Sequence, residues 1–172
     1  KTVFGTNFLL CSKIPKKSFS FLHSKNSTNM KVILERKDNA YHFEGKGQSD
    51  VPVSIDSSAE GNPKGASPME LLLMGVGGCS AIDVVSILKK QRQEISSYRM
   101  EVEGERIQVR EANPFKEIHV KIFLEGNIDP AKAIRAAELS FEKYCSVSIT
   151  MEASVKVSFS MEVNGTKVFP KP

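Results

Sequence analysis

An α+β domain is the fold class that the sequence predicts, and three observations lead to it. Short segments alternate apolar and polar residues, which is typical of strands with one packed and one solvated face. Two longer segments open with helix-start signals and continue with apolar residues at helical spacing or on all sides. Strand and helix candidates then follow one another along 172 residues, a length that suits one domain with a substantial core.

Strand candidates lie on both sides of the first helix, and the last of them has the clearest alternation. Every second residue of Ala153–Met161 is apolar, and the residues between them are Ser or Lys. This pattern predicts an antiparallel sheet that packs one face on the core. The other candidates are Lys31–Arg36, Tyr41–Glu44, Val51–Ile55, Tyr98–Val109 and Glu117–Leu124.

The first helix is predicted to run from Pro68 to about Gln91. Ser67 suits the N-cap, proline suits the first helical position, and Glu70 completes a capping box. Residues 71–82 contain no charged side chain. A helix without a polar face must be covered on all sides, so we expect this one to be almost wholly buried.

The same helix carries Gly75, Gly77 and Gly78, each of which costs about 1 kcal/mol relative to alanine. A helix that accepts them needs close approach by another helix or by a substrate. These glycines and Asp83 argue against a membrane span, which requires about 20 apolar residues. One small sheet cannot cover a helix that is apolar on every face, so dimerisation is the simplest way to bury the remainder.

The second helix is predicted to open at Asp129, an N-cap with Pro130 behind it. Its apolar residues recur at helical spacing, while its charged residues mostly fall on the opposite side. The apolar stripe consists of Ile134, Ala137, Phe141, Tyr144 and Cys145.

Composition divides the chain into a basic leader and a nearly neutral body. Residues 1–29 hold five lysines and no acidic residue, and we assign them to a leader, tag or disordered extension. Residues 30–163 form the predicted domain, and 164–172 a C-terminal tail. The net charge of +4 is therefore local. No arginine-rich stripe with interleaved aromatics follows, so a nucleic-acid partner is not expected.

Three interpretations of residues 1–29 stay open. The segment can be upstream or tag sequence with Met30 as the natural start, an organellar transit peptide, or a loosely packed extension. We expect a cytoplasmic protein, or an organellar one if the segment is a transit peptide. Cys11 lies in this segment and is given no catalytic role.

The cysteine and histidine content excludes two classes of protein. Three cysteines are too few for a disulfide-stapled secreted domain. The chain has no CxxC motif, and its three histidines lack metal-ligand spacing. We therefore expect no metal, and a reducing compartment. By residue type and spacing alone, Cys79 and Cys145 are better explained as small buried hydrophobes than as reactive thiols.

Two stretches around these cysteines carry a resemblance to a known family. They are SPMELLLMGVGGCSAIDVVSILKKQRQ, which contains Cys79, and EKYCSVSITME, which contains Cys145. Both resemble the OsmC/Ohr family of osmotically inducible and organic hydroperoxide resistance proteins, and most closely its YhfA-like branch. The likeness extends from Met30 to about Met161 and leaves the leader outside.

The resemblance implies an intertwined homodimer with two active sites at the subunit interface. It also implies reduction of peroxides, organic hydroperoxides in preference, without a bound cofactor. Cys79 would attack the peroxide and become a sulfenic acid, and Cys145 would resolve it as a disulfide. An external dithiol, such as a lipoyl-type reductant, would then reduce the disulfide.

A buried thiol needs a group that stabilises its thiolate, and in this family an arginine oriented by a glutamate does so. Ohr-type proteins carry the glutamate ten residues before the cysteine, where this chain has Met69, while Glu70 lies nine before. Glu70 is therefore a candidate either as a catalytic acid or as a capping-box residue. The expected cation is Arg36, and Lys64 is a further candidate. The alternative interpretation of Arg36 is that it is a solvated residue of the first strand.

A second function stays open because the Ohr-type glutamate is displaced. On that hypothesis the chain is a non-enzymatic dimer whose apolar cleft binds a small ligand, or whose thiols sense redox state. Peroxide consumption that depends on Cys79 would distinguish the peroxidase from the binding protein.

Overall fold

The computed structural model describes residues 29–170, and the unit considered below begins at Val32. The predicted leader and Cys11 lie outside the described residues. Seven strands and three α-helices follow in mixed order, which confirms the α+β class. The elements are β1 (Ile33–Arg36), β2 (Phe43–Lys46), β3 (Pro52–Ile55), α1 (Pro68–Lys90), β4 (Glu94–Arg106), β5 (Phe115–Asn127), α2 (Pro130–Leu139), α3 (Ser146–Met151), β6 (Lys156–Val163) and β7 (Thr166–Phe169).

Helix α1 begins where the sequence predicts, with the predicted capping box. The Ser67 hydroxyl accepts from the Glu70 backbone N–H at 3.2 Å, and the Glu70 carboxylate accepts from the Ser67 N–H at 2.7 Å. Helix α2 is capped in the same manner, since the Asp129 carboxylate accepts from the Ala131 N–H at 2.8 Å. Both start signals are confirmed because each satisfies backbone donors that a helix leaves free.

The larger sheet has the order β4-β5-β6-β7, and one of its pairs departs from the predicted antiparallel arrangement. β4 pairs antiparallel with β5, and β6 with β7, but β6 runs parallel to β5. The physical reason is the connection: α2, a π-helical turn and α3 return the chain to the starting end of β5. A parallel pair needs such a helical crossover.

The core lies between one face of this sheet and the helices. Its buried sheet residues alternate along β5 and β6, as the sequence patterns predict. Helix α1 presents Val76, Val84 and Leu88 to them. The buried residues of β5 and β6 are Phe115, Ile118, Val120, Ile122, Leu124, Met161 and Val163.

Within one chain, α1 is less buried than predicted. Its buried residues are confined to one side, and Met74 and Ile82 on the other side are 58% and 73% exposed. A single four-stranded sheet covers only one face of a helix, which is the physical reason for the difference. By length and composition α1 could also cross a membrane, but its buried side packs on the sheet of this domain.

β1, β2 and β3 form a separate antiparallel sheet. No residue of these strands belongs to the hydrophobic core of the described part of the chain. Their apolar side chains, including Ile33, Leu34 and Val53, are exposed. This sheet therefore has an apolar surface that its own chain leaves uncovered.

The chain continues as ordered structure beyond residue 163, the predicted end of the domain. An Asn164-Gly165 turn with positive φ at both residues connects β6 to β7. Such a two-residue turn favours a tight hairpin. Part of the predicted tail 164–172 is thus the edge strand of the larger sheet.

Candidate functional site

Cys79 and Cys145 are brought together in the reduced state. Cys79 lies in the middle of α1 and is half-buried, whereas Cys145 is fully buried at the start of α3. Burial raises the pKa of the Cys145 thiol, and the neighbouring Cys79 raises it further. The two thiols are therefore neighbours, as a disulfide between them would require.

A π-helical turn, Ser140–Tyr144, sets the position of Cys145. The Cys145 N–H donates to the Ser140 carbonyl at 2.8 Å, five residues back. The sequence predicts one continuous helix with Tyr144 on its apolar stripe, but Tyr144 is 47% exposed and the next residue is buried. π-turns of this kind occur frequently at functional sites.

Ser148 contacts the buried thiol directly. Its hydroxyl donates to Cys145 Sγ at 3.1 Å, and the serine itself is buried. This hydrogen bond, together with one from the Ser148 backbone N–H, lowers the pKa of Cys145 and so opposes the effect of burial. Ser148 is thus a group that favours the Cys145 thiolate in an otherwise apolar environment.

Asp83 links α1 to the π-turn. The Ser140 hydroxyl, which is fully buried, donates to Asp83 Oδ2 at 3.1 Å. Asp83 lies one helical turn after Cys79, and Ser140 accepts the backbone hydrogen bond that positions Cys145. The Asp83–Ser140 contact therefore connects the segments that carry the two cysteines.

Glu70 does not approach the thiols within this chain. Nine residues of helix separate it from Cys79, which corresponds to about 13 Å along the axis. Its carboxylate accepts from Ser67, and these hydrogen bonds hold the pKa of Glu70 below its ordinary value. The structure places Glu70 in the capping box, the alternative that the sequence left open.

Arg36 and Lys64 are also occupied elsewhere in the chain. The Arg36 guanidinium donates to the backbone carbonyls of Asn39 and Ala40, in the turn that follows β1. Lys64 forms an ion pair with Asp38 at 2.8 Å. Among the side-chain contacts of residues 29–170, none joins a lysine or arginine to either thiol.

The glycines of α1 have distinct environments. A Cβ on Gly77 would lie 2.9 Å from Val102 Cγ2 on β4, so close packing against the sheet requires this glycine. A Cβ on Gly78 would meet nothing within 4 Å. Gly78 precedes Cys79 on the exposed side of α1, where Met74 and Ile82 also lie. The surface beside Cys79 is thus apolar, and it is open at Gly78.

The chain is an α+β domain that brings Cys79 of α1 near Cys145 at the start of α3. It belongs to the OsmC-like protein family, whose family model matches residues 61–160. The protein YhfA of Escherichia coli strain K12 is 40% identical over 124 residues, which cover 70% of this chain and 89% of YhfA.

Solved structures share the fold. A hypothetical protein from Aquifex aeolicus VF5 has a TM-score of 0.68 at 31% identity, covering 80% of this chain and 99% of that one. An organic hydroperoxide resistance protein from Elizabethkingia anophelis has a TM-score of 0.63 at 12% identity, covering 82% and 100%. The OsmC/Ohr resemblance read from the two cysteine stretches is confirmed.

Sequence reasoning missed Ser148 and Ser140 as parts of the site. The spacing from Cys145 to Ser148 places both on one side of a helical turn, which is a signal that could have identified the first. Ser140 contributes to the site only through the π-turn, and no sequence pattern indicated that turn.

Proposed function

We propose that this protein is a two-cysteine thiol peroxidase that reduces organic hydroperoxides. The observation that carries the proposal is the proximity of Cys79, half-buried on an apolar face, to Cys145, fully buried. Cys79 is partly exposed and can meet a substrate, whereas Cys145 has no exposed surface. Membership of a family that includes an organic hydroperoxide resistance protein supports the same activity.

In the proposed reaction the Cys79 thiolate attacks the hydroperoxide oxygen that bears hydrogen. The O–O bond breaks, the alkoxide leaves as the alcohol after taking a proton, and Cys79 becomes a sulfenic acid. The sulfur of Cys145 then attacks Cys79 Sγ and water leaves. Two thiols and one hydroperoxide give one disulfide, one alcohol and one water. An external dithiol, of the lipoyl type, restores both thiols.

The apolar surface next to Cys79 supports organic substrates over hydrogen peroxide. Met74 and Ile82 lie on that side of α1, and Gly78 leaves room for a substrate to reach the sulfur. A hydrocarbon group gains roughly 25 cal/mol for each Å² that it buries on such a surface. We expect cumene or fatty-acid hydroperoxides to react faster than hydrogen peroxide.

We further propose that the active form is a homodimer. Both the open side of α1 and the sheet β1–β3 expose apolar residues that one chain leaves uncovered. A second copy would cover these surfaces and complete the pocket around Cys79. Because Arg36 and Lys64 do not reach the thiols within one chain, an activating cation is expected from the second copy.

The experiment is a steady-state assay with cumene hydroperoxide and dihydrolipoamide, comparing wild type with Cys79→Ser, Cys145→Ser and Cys11→Ser. We expect the first variant to be inactive and the second to consume about one equivalent of peroxide without turnover. Cys11→Ser is the matched control and should keep full activity. Peroxide consumption that survives in Cys79→Ser would refute the proposal.

One observation favours a second candidate, a thiol redox sensor. Within the described part of a single chain, no lysine or arginine contacts Cys79, and a thiol without a cation reacts slowly. A sensor would form the disulfide with oxidant but would not turn over with dithiol. Sustained turnover in the assay above excludes this candidate.

A further inference from the structure

A cleft of about 430 Å³ lies next to the segment that carries Cys145. Its walls come from the π-turn, α3, β6 and β7. Three aromatic rings form one wall as a stack, with centroid distances of 5.1 Å from Phe141 to Phe159 and 4.5 Å from Phe159 to Phe169. The volume falls within the range of about 300–1,000 Å³ that is typical of small-molecule sites.

Ser148 connects this cleft to the buried thiol. The serine lines the cleft, and its hydroxyl lies 3.1 Å from Cys145 Sγ. Cys145 itself has no exposed surface, so a reductant must either pass Cys79 or displace the Ser148 hydroxyl. Rotating one serine side chain is a small movement, since a hydroxymethyl group has only one torsion to change.

We propose that this cleft binds an apolar dithiol and delivers it to the sulfur of Cys145, which makes it a reductant site separate from the peroxide side of α1. The inference rests on the proposed function, because it concerns the disulfide that the peroxidase reaction forms. It assigns one entrance to the oxidant at Cys79 and another to the reductant at Cys145.

The chemistry of exchange favours attack at Cys145. One thiolate of the dithiol bonds to Cys145 Sγ, the disulfide breaks, and Cys79 leaves with the electron pair. The second thiol of the reductant then attacks the mixed disulfide, Cys145 leaves and takes a proton, and the reductant ends as a cyclic disulfide. Burial raises the pKa of Cys145, and a thiol with a raised pKa is a poor first leaving group.

The charge at the rim selects among reductants. Glu142 and Glu152 line the cleft and are exposed, so they repel an anion that approaches the aromatic wall. Glutathione carries a net negative charge, whereas a dithiol on an amide-capped hydrocarbon chain is neutral. The cleft therefore favours the neutral, apolar dithiol by both its charge and its lining.

The first test uses protein oxidised with diamide, so that it does not depend on peroxide turnover. Reduction by dihydrolipoamide and by glutathione is followed by quenching with a maleimide and counting labelled thiols. Ile149→Trp fills the cleft from α3, and Thr150→Trp, the next residue on the same helix, lies outside the lining and is the matched control.

We expect Ile149→Trp to slow reduction by dihydrolipoamide at least tenfold and reduction by glutathione less than twofold, with Thr150→Trp within twofold of wild type for both. An unchanged dihydrolipoamide rate in Ile149→Trp overturns the proposal, and so does equal slowing with both reductants. If the protein does not turn over peroxide but shows this pattern, the peroxidase proposal is wrong and the proposed dithiol site in the cleft still stands.

The second test needs no variant. Oxidised wild-type protein is treated with an apolar monothiol and iodoacetamide, then digested with trypsin. Cleavage after Lys64, Lys89, Lys143 and Lys156 separates the two cysteines into different peptides. We expect the monothiol on the Cys145 peptide and the alkyl group on Cys79. The reverse distribution overturns the proposal.

Discussion

The Ser148 hydroxyl, on α3, donates a hydrogen bond to Cys145 Sγ over an O–S distance of 3.1 Å. It opposes the rise in the Cys145 pKa that burial causes. A hydrogen bond to a charged group contributes about 1.5–3 kcal/mol where the charge is buried. Ser148 is therefore the side chain that favours the Cys145 thiolate, the form that the proposed resolving step requires.

Replacing Ser148 by alanine should slow disulfide formation after peroxide addition. The pKa of Cys145 rises further without the donor, so less thiolate is present at neutral pH and resolution falls about tenfold or more. Stopped-flow trapping of the Cys79 sulfenic acid measures this step. Ser146→Ala, which removes an exposed hydroxyl from the same helix, should resolve at the wild-type rate.

The raised pKa of Cys145 also predicts how stability depends on pH. The unfolded thiol ionises at its ordinary pKa, about 8.5, while the folded thiol keeps its proton to higher pH. The contribution of this thiol to the unfolding free energy is therefore fully present below about pH 8.5. It is lost as the pH rises from there through the higher pKa of the folded state. Urea unfolding of reduced protein between pH 7 and 10 should show a steeper loss for wild type than for Cys145→Ser. Parallel curves would contradict this.

Much of the fold follows from patterns that act locally. Helix N-caps and period-2 alternation are satisfied by neighbouring residues, and so α1, α2 and the strands β4, β5 and β6 were predictable from their own segments, whereas β7 was assigned to the tail. The parallel β5–β6 pair was not, because its direction depends on where the crossover through α2 and α3 returns the chain.

The candidate site also combines residues that the sequence could identify with residues that it could not. Cys79 and Cys145 were identified from a family resemblance, and the structure places them near each other. The sequence pattern put both Tyr144 and Cys145 on the apolar stripe of one helix. The π-turn adds one residue to a helical turn, which rotates the following residues by about 100°, and only Cys145 is buried. Side chains that act through such a turn, Ser140 above all, depend on tertiary structure.

Glu70 is expected to act on stability more than on rate. Glu70→Ala removes half of the capping box and should lower the unfolding free energy, while Glu70→Gln, which can still accept from the Ser67 N–H, should lower it less. Because the pKa of Glu70 is lowered, its contribution is present at neutral pH and lost as pH falls through that lowered value. A large loss of kcat in Glu70→Gln with unchanged stability would instead assign Glu70 a catalytic role.

Gly77 and Gly75 should respond differently to alanine. A Cβ at Gly77 meets Val102 Cγ2 at 2.9 Å, and a valine side chain has little freedom to move away. We expect Gly77→Ala to destabilise the protein by about 1–3 kcal/mol. At Gly75 the nearest atom, Val147 Cγ1, lies at an ordinary 3.7 Å, so Gly75→Ala should be neutral or stabilising by up to about 1 kcal/mol. Urea unfolding of both variants tests the contrast.

The open side of α1 should hold the proposed dimer together. Ile82 is the most exposed of its apolar residues, at 73% within one chain, and a lysine there would leave a charge in an apolar interface. We expect Ile82→Lys to raise the dimer dissociation constant at least a hundredfold, equivalent to about 2.7 kcal/mol, as measured by sedimentation velocity over a dilution series. Asn113→Lys adds the same charge at the exposed turn between β4 and β5 and should not change association. If wild type sediments as a monomer, or Ile82→Lys dimerises as well as Asn113→Lys, then α1 is not the interface. The uncovered apolar residues of β1–β3 would remain as the other candidate surface.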